Sequence, residues 1–153
     1  MAIEFVTREE REQELLQKAK IVFISGQLNI VRDIAFLLER RFFSAGILSS
    51  VIDSDRLLNG ICSNCKNDES EILRLTIETA KLFLHTGIIT ICYGIDDSIN
   101  TVNKLVNNSD LIVVTTSPKT NLNAEEISIE IGEKTLEDIV HHLYKKLAVS
   151  ISE

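Results

Sequence analysis

Ile21-Val22-Phe23-Ile24-Ser25-Gly26 is the stretch on which the fold turns. Four consecutive apolar residues, three of them β-branched, read as a short strand buried on both faces. Ser25-Gly26 breaks the run. Beyond it Ile34, Leu37, Leu38 and Phe42 recur at helical spacing, and Gly46 stops that helix. A buried strand, a glycine turn and an amphipathic helix form the first half of a βαβ unit.

The rest of the chain repeats this alternation. Residues 47–52, 88–92 and 111–114 read as further strands, and residues 126–131 alternate apolar and charged side chains as a half-exposed edge strand does. Helical patterns fall at 71–85, 98–107 and 135–147, with 53–70 read as a polar loop. Thr7 followed by Glu10 has the spacing of a capping box and opens a polar helical segment reaching about Lys20. The expected fold class is α/β: a three-layer, doubly wound, mostly parallel five-stranded sheet. Its organisation is read as an N-terminal helical segment at 1–20, one α/β domain at 21–148 and a tail at 149–153.

Bulk properties narrow the function classes. Lys plus Arg number 16 against 23 Asp plus Glu, a formal charge of −7. Such a surface disfavours nucleic acid and anionic membranes as partners. No apolar run approaches the ~20 residues of a membrane span. The charged opening is unlike a signal peptide, so a cytoplasmic location is expected. Three cysteines fit a reducing compartment better than a disulfide scaffold.

Four stretches in order resemble the adenylyl-sulfate (APS) kinases of the P-loop kinase superfamily. They are Thr7-Arg8-Glu9-Glu10-Arg11; Ile24-Ser25-Gly26 leading into 33–42; Val51-Ile52-Asp53-Ser54-Asp55-Arg56-Leu57-Leu58-Asn59-Gly60; and Glu78-Thr79-Ala80-Lys81-Leu82 running through Gly87 to Ile91. The third is similar to the family motif V-L-D-G-D-N-L-R-x-G. The resemblance is collinear over about the first 92 residues and weaker from Leu111 onward.

The resemblance implies a phosphate-binding loop where this chain reads Gly26-Gln27-Leu28-Asn29-Ile30-Val31-Arg32-Asp33 in place of G-L-S-G-S-G-K-S/T. A working loop needs glycines so that successive N–H groups curl around phosphate. Ile30 and Val31 resist the positive φ that glycine permits. Arg32 keeps the charge of the family lysine in a planar fork. Asp33 replaces the magnesium-holding hydroxyl, and a carboxylate at a helix start repels phosphate. Gly26, Arg32 and Asp33 are therefore the candidate, degenerate, nucleotide-binding positions.

On the substrate side the resemblance puts the family's Asp-x-Asp on Asp53 and Asp55, the candidate catalytic pair, and retains one family arginine as Arg74, the candidate substrate-binding residue. Further family positions fall on Leu58, Glu69 and Ile72. Loss of arginine weakens the grip on an anion such as APS. Only residues 117–123 stand where the family carries a long basic lid, which leaves the site open to water.

Cys62-Ser63-Asn64-Cys65 supplies half a zinc site at most, and no second paired motif completes it. It reads as two loop or semi-buried thiols, with a redox-sensitive disulfide the better of the functional options. No metal site is expected. His141 and His142 point apart on a helix and read as surface residues. Asp96-Asp97 reads as a cap for the helix that follows, and the charged residues after Arg8 as a solvated helix face.

Three functions stay open. The first is a non-catalytic, APS-kinase-like regulatory or assembly domain, a pseudokinase of sulfate activation, with no cofactor. It would dimerise with itself or with a sulfate-activation enzyme, and APS or its phosphorylated product PAPS would be a nucleotide effector. The second is an active kinase that transfers the γ-phosphate of Mg-ATP to APS through the altered loop. The third is a structural heterodimer subunit with no ligand.

Overall fold

The structure is a computed structural model and describes residues 2–117 and 122–152. It contains the expected strand–turn–helix. β1 (Ile21–Ser25) is buried along its whole length. Only Gly26 and Gln27 separate it from a long helix, Leu28–Ser44, the second of the chain after α1 (Arg8–Leu15) and therefore α2.

β2 (Ser49–Val51), β3 (Ile89–Gly94), β4 (Leu111–Thr115) and β5 (Glu125–Ser128) complete a five-stranded sheet in the order β2-β3-β1-β4-β5. Every pairing is parallel, with Phe23 opposite Cys92 on one side and Val113 on the other. The connections are α2, α3 (Ser54–Leu58), α4 (Glu69–Leu84), α5 (Ile99–Leu105) and the closing α6 (Leu136–Ile151).

Strand periodicity divides the core in two. Val22 and Ile24 face Ile34, Leu38 and Phe42 of α2 and Ile139, Leu143 and Leu147 of α6. Ile21 and Phe23 face Ile77 and Ala80 of α4 and Ile99 and Val102 of α5. Each such Val, Leu, Ile or Phe side chain, fully buried, contributes roughly 1.5–3 kcal/mol. Helices cover both faces of the sheet, and its carboxyl edge is left to the loops that follow the strands.

Four local readings change. First, α1 is not a fully solvated face. Thr7 caps it as expected, accepting from the Glu10 N–H at 3.1 Å, but Glu12 and Gln17 are buried. Glu12 Oε2 accepts from the Ala19 N–H at 2.6 Å, and Gln17 bridges Leu48 and Gly87. These bonds tie α1 to the amino-terminal edge of the sheet, away from the carboxyl edge. Second, the supposed loop at 53–70 contains α3, capped by Asp53. Third, α6 runs past Leu147 to a buried Ile151, whose carbonyl accepts from the Lys18 N–H. Fourth, Asp96 and Asp97 lie in a 3-10 turn, and no side-chain bond caps α5.

Candidate functional site at the carboxyl edge of the sheet

In a parallel sheet of this type ligands meet the loops beyond the carboxyl ends of the strands. Those loops bring together Gly26, Asp53, Tyr93-Gly94 and Thr115-Thr116.

Gly26 has φ of +155° and donates its N–H to the Gly94 carbonyl at 3.1 Å. A Cβ added there would lie 3.1 Å from both Val31 Cγ1 and Thr116 Oγ1. The turn is therefore closed down against its neighbours. Gln27 is the N-cap of α2 and makes no side-chain capping bond; its carbonyl accepts from Ile30 and Val31 at 3.0 Å each. Residues 28–33 are helical, and Val31 is fully buried in the core.

This placement corrects one expectation. Asp33 is not at the helix start: α2 begins at Leu28, and its first turn carries no acidic residue. Asp33 lies in the second turn, about half exposed, 3.7 Å from the guanidinium of Arg32. Arg32 in turn sits over the Phe36 ring, 5.1 Å from its centroid.

Asp53 is buried at the end of β2. Its Oδ1 accepts from the Arg56 N–H at 3.1 Å, which is how it caps α3. Its Oδ2 accepts from the Tyr93 hydroxyl at 3.2 Å. Arg56 donates to the Val51 carbonyl and also stacks on Phe36, at 5.7 Å. Glu39 of α2 accepts the Val51 N–H at 2.7 Å. A corner of Asp53, Tyr93, Arg56, Phe36 and Arg32 results, with Asp55 exposed in the first turn of α3.

Burial, helped by the neighbouring Asp53 carboxylate and opposed by Arg32, pushes the Tyr93 phenol up to about 12. The neighbouring Cys92 thiol is fully buried and is likewise pushed up to about 12, chiefly by desolvation. Neither group ionises near neutral pH, so neither offers a ready nucleophile or base. Asp53 has both carboxylate oxygens engaged, and the outward-facing carboxylate is that of Asp55.

Arg74 is turned to its own helix. It forms a bidentate pair with Glu71, at 2.6 and 3.0 Å, and is half exposed. The pairing raises the Arg74 pKa and lowers that of Glu71. Cys62 and Cys65, read as separate thiols, are joined as a disulfide. Among the described residues no group of three or more His, Cys, Asp and Glu side chains converges as a metal site. No helix among them is long and apolar enough to cross a membrane. Residues 118–121 of the short segment standing where the family carries a lid lie outside the described residues.

Two hollows among the described residues lie away from Asp53. One of about 550 Å³ is lined by Phe36, Arg40, Phe43 and Leu48, and one of about 530 Å³ by Arg32, Phe36, Arg40 and Leu136. Both follow the outer face of α2. Tyr93, Phe36 and Arg56 were not singled out by sequence reasoning. The available signal was positional: Tyr93 ends a strand and Arg56 follows the Asp-x-Asp.

An all-parallel sheet in this order, with a helix launched directly from the central strand, defines an α/β protein of the P-loop kinase type. No family model matches the chain. It is 34% identical over 90 residues to an adenylyl-sulfate kinase of Bacteroides fragilis and 38% identical over 90 residues to one of Clostridium kluyveri. Each match covers 56% of this chain and 45% of the relative, so the chain spans less than half the length of the curated relatives it matches. Solved structures agree on the fold. An APS kinase of Mycobacterium tuberculosis, in complex with AMPPNP and APS, has a TM-score of 0.68 at 15% identity, covering 85% of this chain and 98% of that one. A hexameric APS kinase from Thiobacillus denitrificans has a TM-score of 0.64 at 15% identity, covering 92% and 31%. Over some 90 residues the chain is thus similar in sequence to adenylyl-sulfate kinases, and its fold is that of the solved APS kinases.

Proposed function

We propose that this chain is a catalytically degenerate relative of APS kinase that serves sulfate activation as a regulatory or assembly domain. The observation that carries the reading is the start of α2 at Leu28. Residues that the resemblance assigns to the phosphate loop are helical, and Val31 is buried. The N–H groups of Ile30 and Val31 are already bonded to Gln27. Phosphoryl transfer rests on positioning and charge stabilisation. Here Arg32 is stacked on Phe36 and paired with Asp33, not free to span two phosphates. The acidic corner persists, but Asp53 is committed to capping α3 and to Tyr93.

An assembly role draws support from one further feature. Ile3, Phe5 and Val6, ahead of α1, are 78%, 80% and 60% exposed. Apolar side chains in such a run suit burial against a second copy or a partner enzyme.

The direct test is turnover. Purified chain with Mg-ATP and APS yields no APS-dependent ADP under this reading, while an active APS kinase in the same assay does. Activity cleared by Asp53→Asn would establish the active-kinase alternative instead. Size-exclusion with light scattering, with and without PAPS, then separates assembly from effector binding.

A further inference from the structure

We propose that Cys62 and Cys65 form a thiol–disulfide exchange site whose redox state controls the seating of α3, with a soluble dithiol as its reductant. The inference does not depend on whether the chain binds nucleotide.

The two cysteines are bonded, with Cα atoms 5.2 Å apart, in the connection between α3 and α4. Their exposures differ. Cys62 is fully buried and packs in the core cluster that includes Leu57 and Cys92, whereas Cys65 is partly exposed. Ser63 and Asn64 between them are exposed, so the Cys65 end of the bond lies on the solvent side of the loop.

The backbone around the pair links the two helices. The Cys62 N–H donates to the Leu57 carbonyl at 2.8 Å, and the Cys65 N–H to the Cys62 carbonyl at 3.0 Å. The Asp68 N–H donates to the Cys65 carbonyl at 3.0 Å, and Asp68 is the cap of α4. Leu57 belongs to α3, whose other end is held by Asp53. The disulfide thus closes a short ring between the exit of one capped helix and the entry of the next.

A ring of this size constrains little of the unfolded chain, so its contribution as a staple is small compared with a bond that closes a long loop. Its location suits exchange better. An incoming thiolate attacks the sulfur of Cys65, the less buried of the two cysteines, and the Cys62 sulfur leaves and takes a proton. The second thiol of the reductant then attacks the mixed disulfide and releases Cys65. The net step moves two electrons and two protons: the protein gains two thiols and the reductant closes its own disulfide. With the ring open, residues between Leu57 and Asp68 lose their covalent clamp, and α3 with its Asp53 cap has a freer seat. Cys92, buried in the same cluster and opposite Phe23 in β1, is outside the exchange.

The test uses the full chain in glutathione buffers of varied ratio and in dithiothreitol, with alkylation under native conditions read by peptide mass. Hydrogen exchange of the same samples reports local opening. The expected result is a titratable bond: Cys62 and Cys65 alkylate together on reduction and Cys92 stays unmodified. Local opening over 54–68 then rises about tenfold while β1 and α2 are unchanged. Cys65→Ser, which leaves the buried Cys62 in place, reproduces that opening without reductant. Thiols that are free at every glutathione ratio overturn the proposal. So does a bond that folded protein never surrenders to dithiothreitol, and so does an exchange pattern over 54–68 that reduction leaves unaltered.

Discussion

Gly26→Ala tests how tightly the turn before α2 is closed. Three terms set the magnitude. The φ of +155° lies where L-residues are strained, at a cost of about 1–3 kcal/mol. The new Cβ would press at 3.1 Å on Val31 Cγ1 and Thr116 Oγ1. Val31 is fully buried and held by the core, so it yields little. Thr116 lies at the rim and can rotate, so that contact is the softer of the two. Against these costs, alanine narrows the unfolded ensemble and returns about 0.4–1 kcal/mol. The net expectation is a loss of about 2 kcal/mol, and a midpoint lower by roughly 4–8 °C for a chain of this length. Urea melts followed by circular dichroism measure it, with an unchanged slope showing that both states keep their extent. In a Thr116→Ala background the cost of Gly26→Ala falls, because one of the two contacts is gone. A Gly26→Ala protein within about 0.5 kcal/mol of the parent would refute the reasoning, because the turn would then have room to spare.

Three further outcomes follow from the same structure. Gln17→Ala strips the side chain that bonds Leu48 and Gly87 at 2.9–3.0 Å; it should cost about 2–4 kcal/mol in urea melts, against near zero for the exposed Glu9→Ala. Stability should fall as pH rises from about 9 to about 12: Cys92 and Tyr93 hold their protons to about 12 when folded, the unfolded groups release theirs near ~8.5 and ~10, and so the native state binds more protons across that window. Asp53→Asn removes a carboxylate from the Tyr93 hydroxyl, so the phenol should titrate lower in a spectrophotometric pH series; an unchanged Tyr93 titration would deny the contact.

Much of the fold was legible because burial writes itself into spacing. The run at Ile21 and the helical recurrence of Ile34, Leu38 and Phe42 demand a buried strand and a helix packed on it, and both are present. Glu12 and Gln17 misled because their side chains are polar, and polarity alone cannot tell a solvated residue from one bonded to backbone just ahead of strands, at Ala19, Leu48 and Gly87. The segment after Asp53 read as a loop because α3 is short and has no apolar stripe; its cap is its main local signal. Cys62 and Cys65 were legible as a motif but not as a bond, since spacing says nothing of whether two thiols are oxidised. The Asp53–Tyr93 contact joins the cap of α3, just beyond β2, to β3, and no local pattern encodes such a pairing. The register of α2 was misjudged for a related reason: aligning Asp33 with a loop hydroxyl presumes a loop, whereas Leu28 already starts the helix.

Isothermal titration of the folded chain with Mg-ATP bears most directly on the central claim. A turn reduced to Gly26 and Gln27, with Arg32 held over Phe36, should give no saturable heat in a range where an active APS kinase binds. Saturable binding that Arg32→Ala abolishes, with the terminal phosphate ordered between Gly26 and Asp33 in a crystal of the complex, would contradict it.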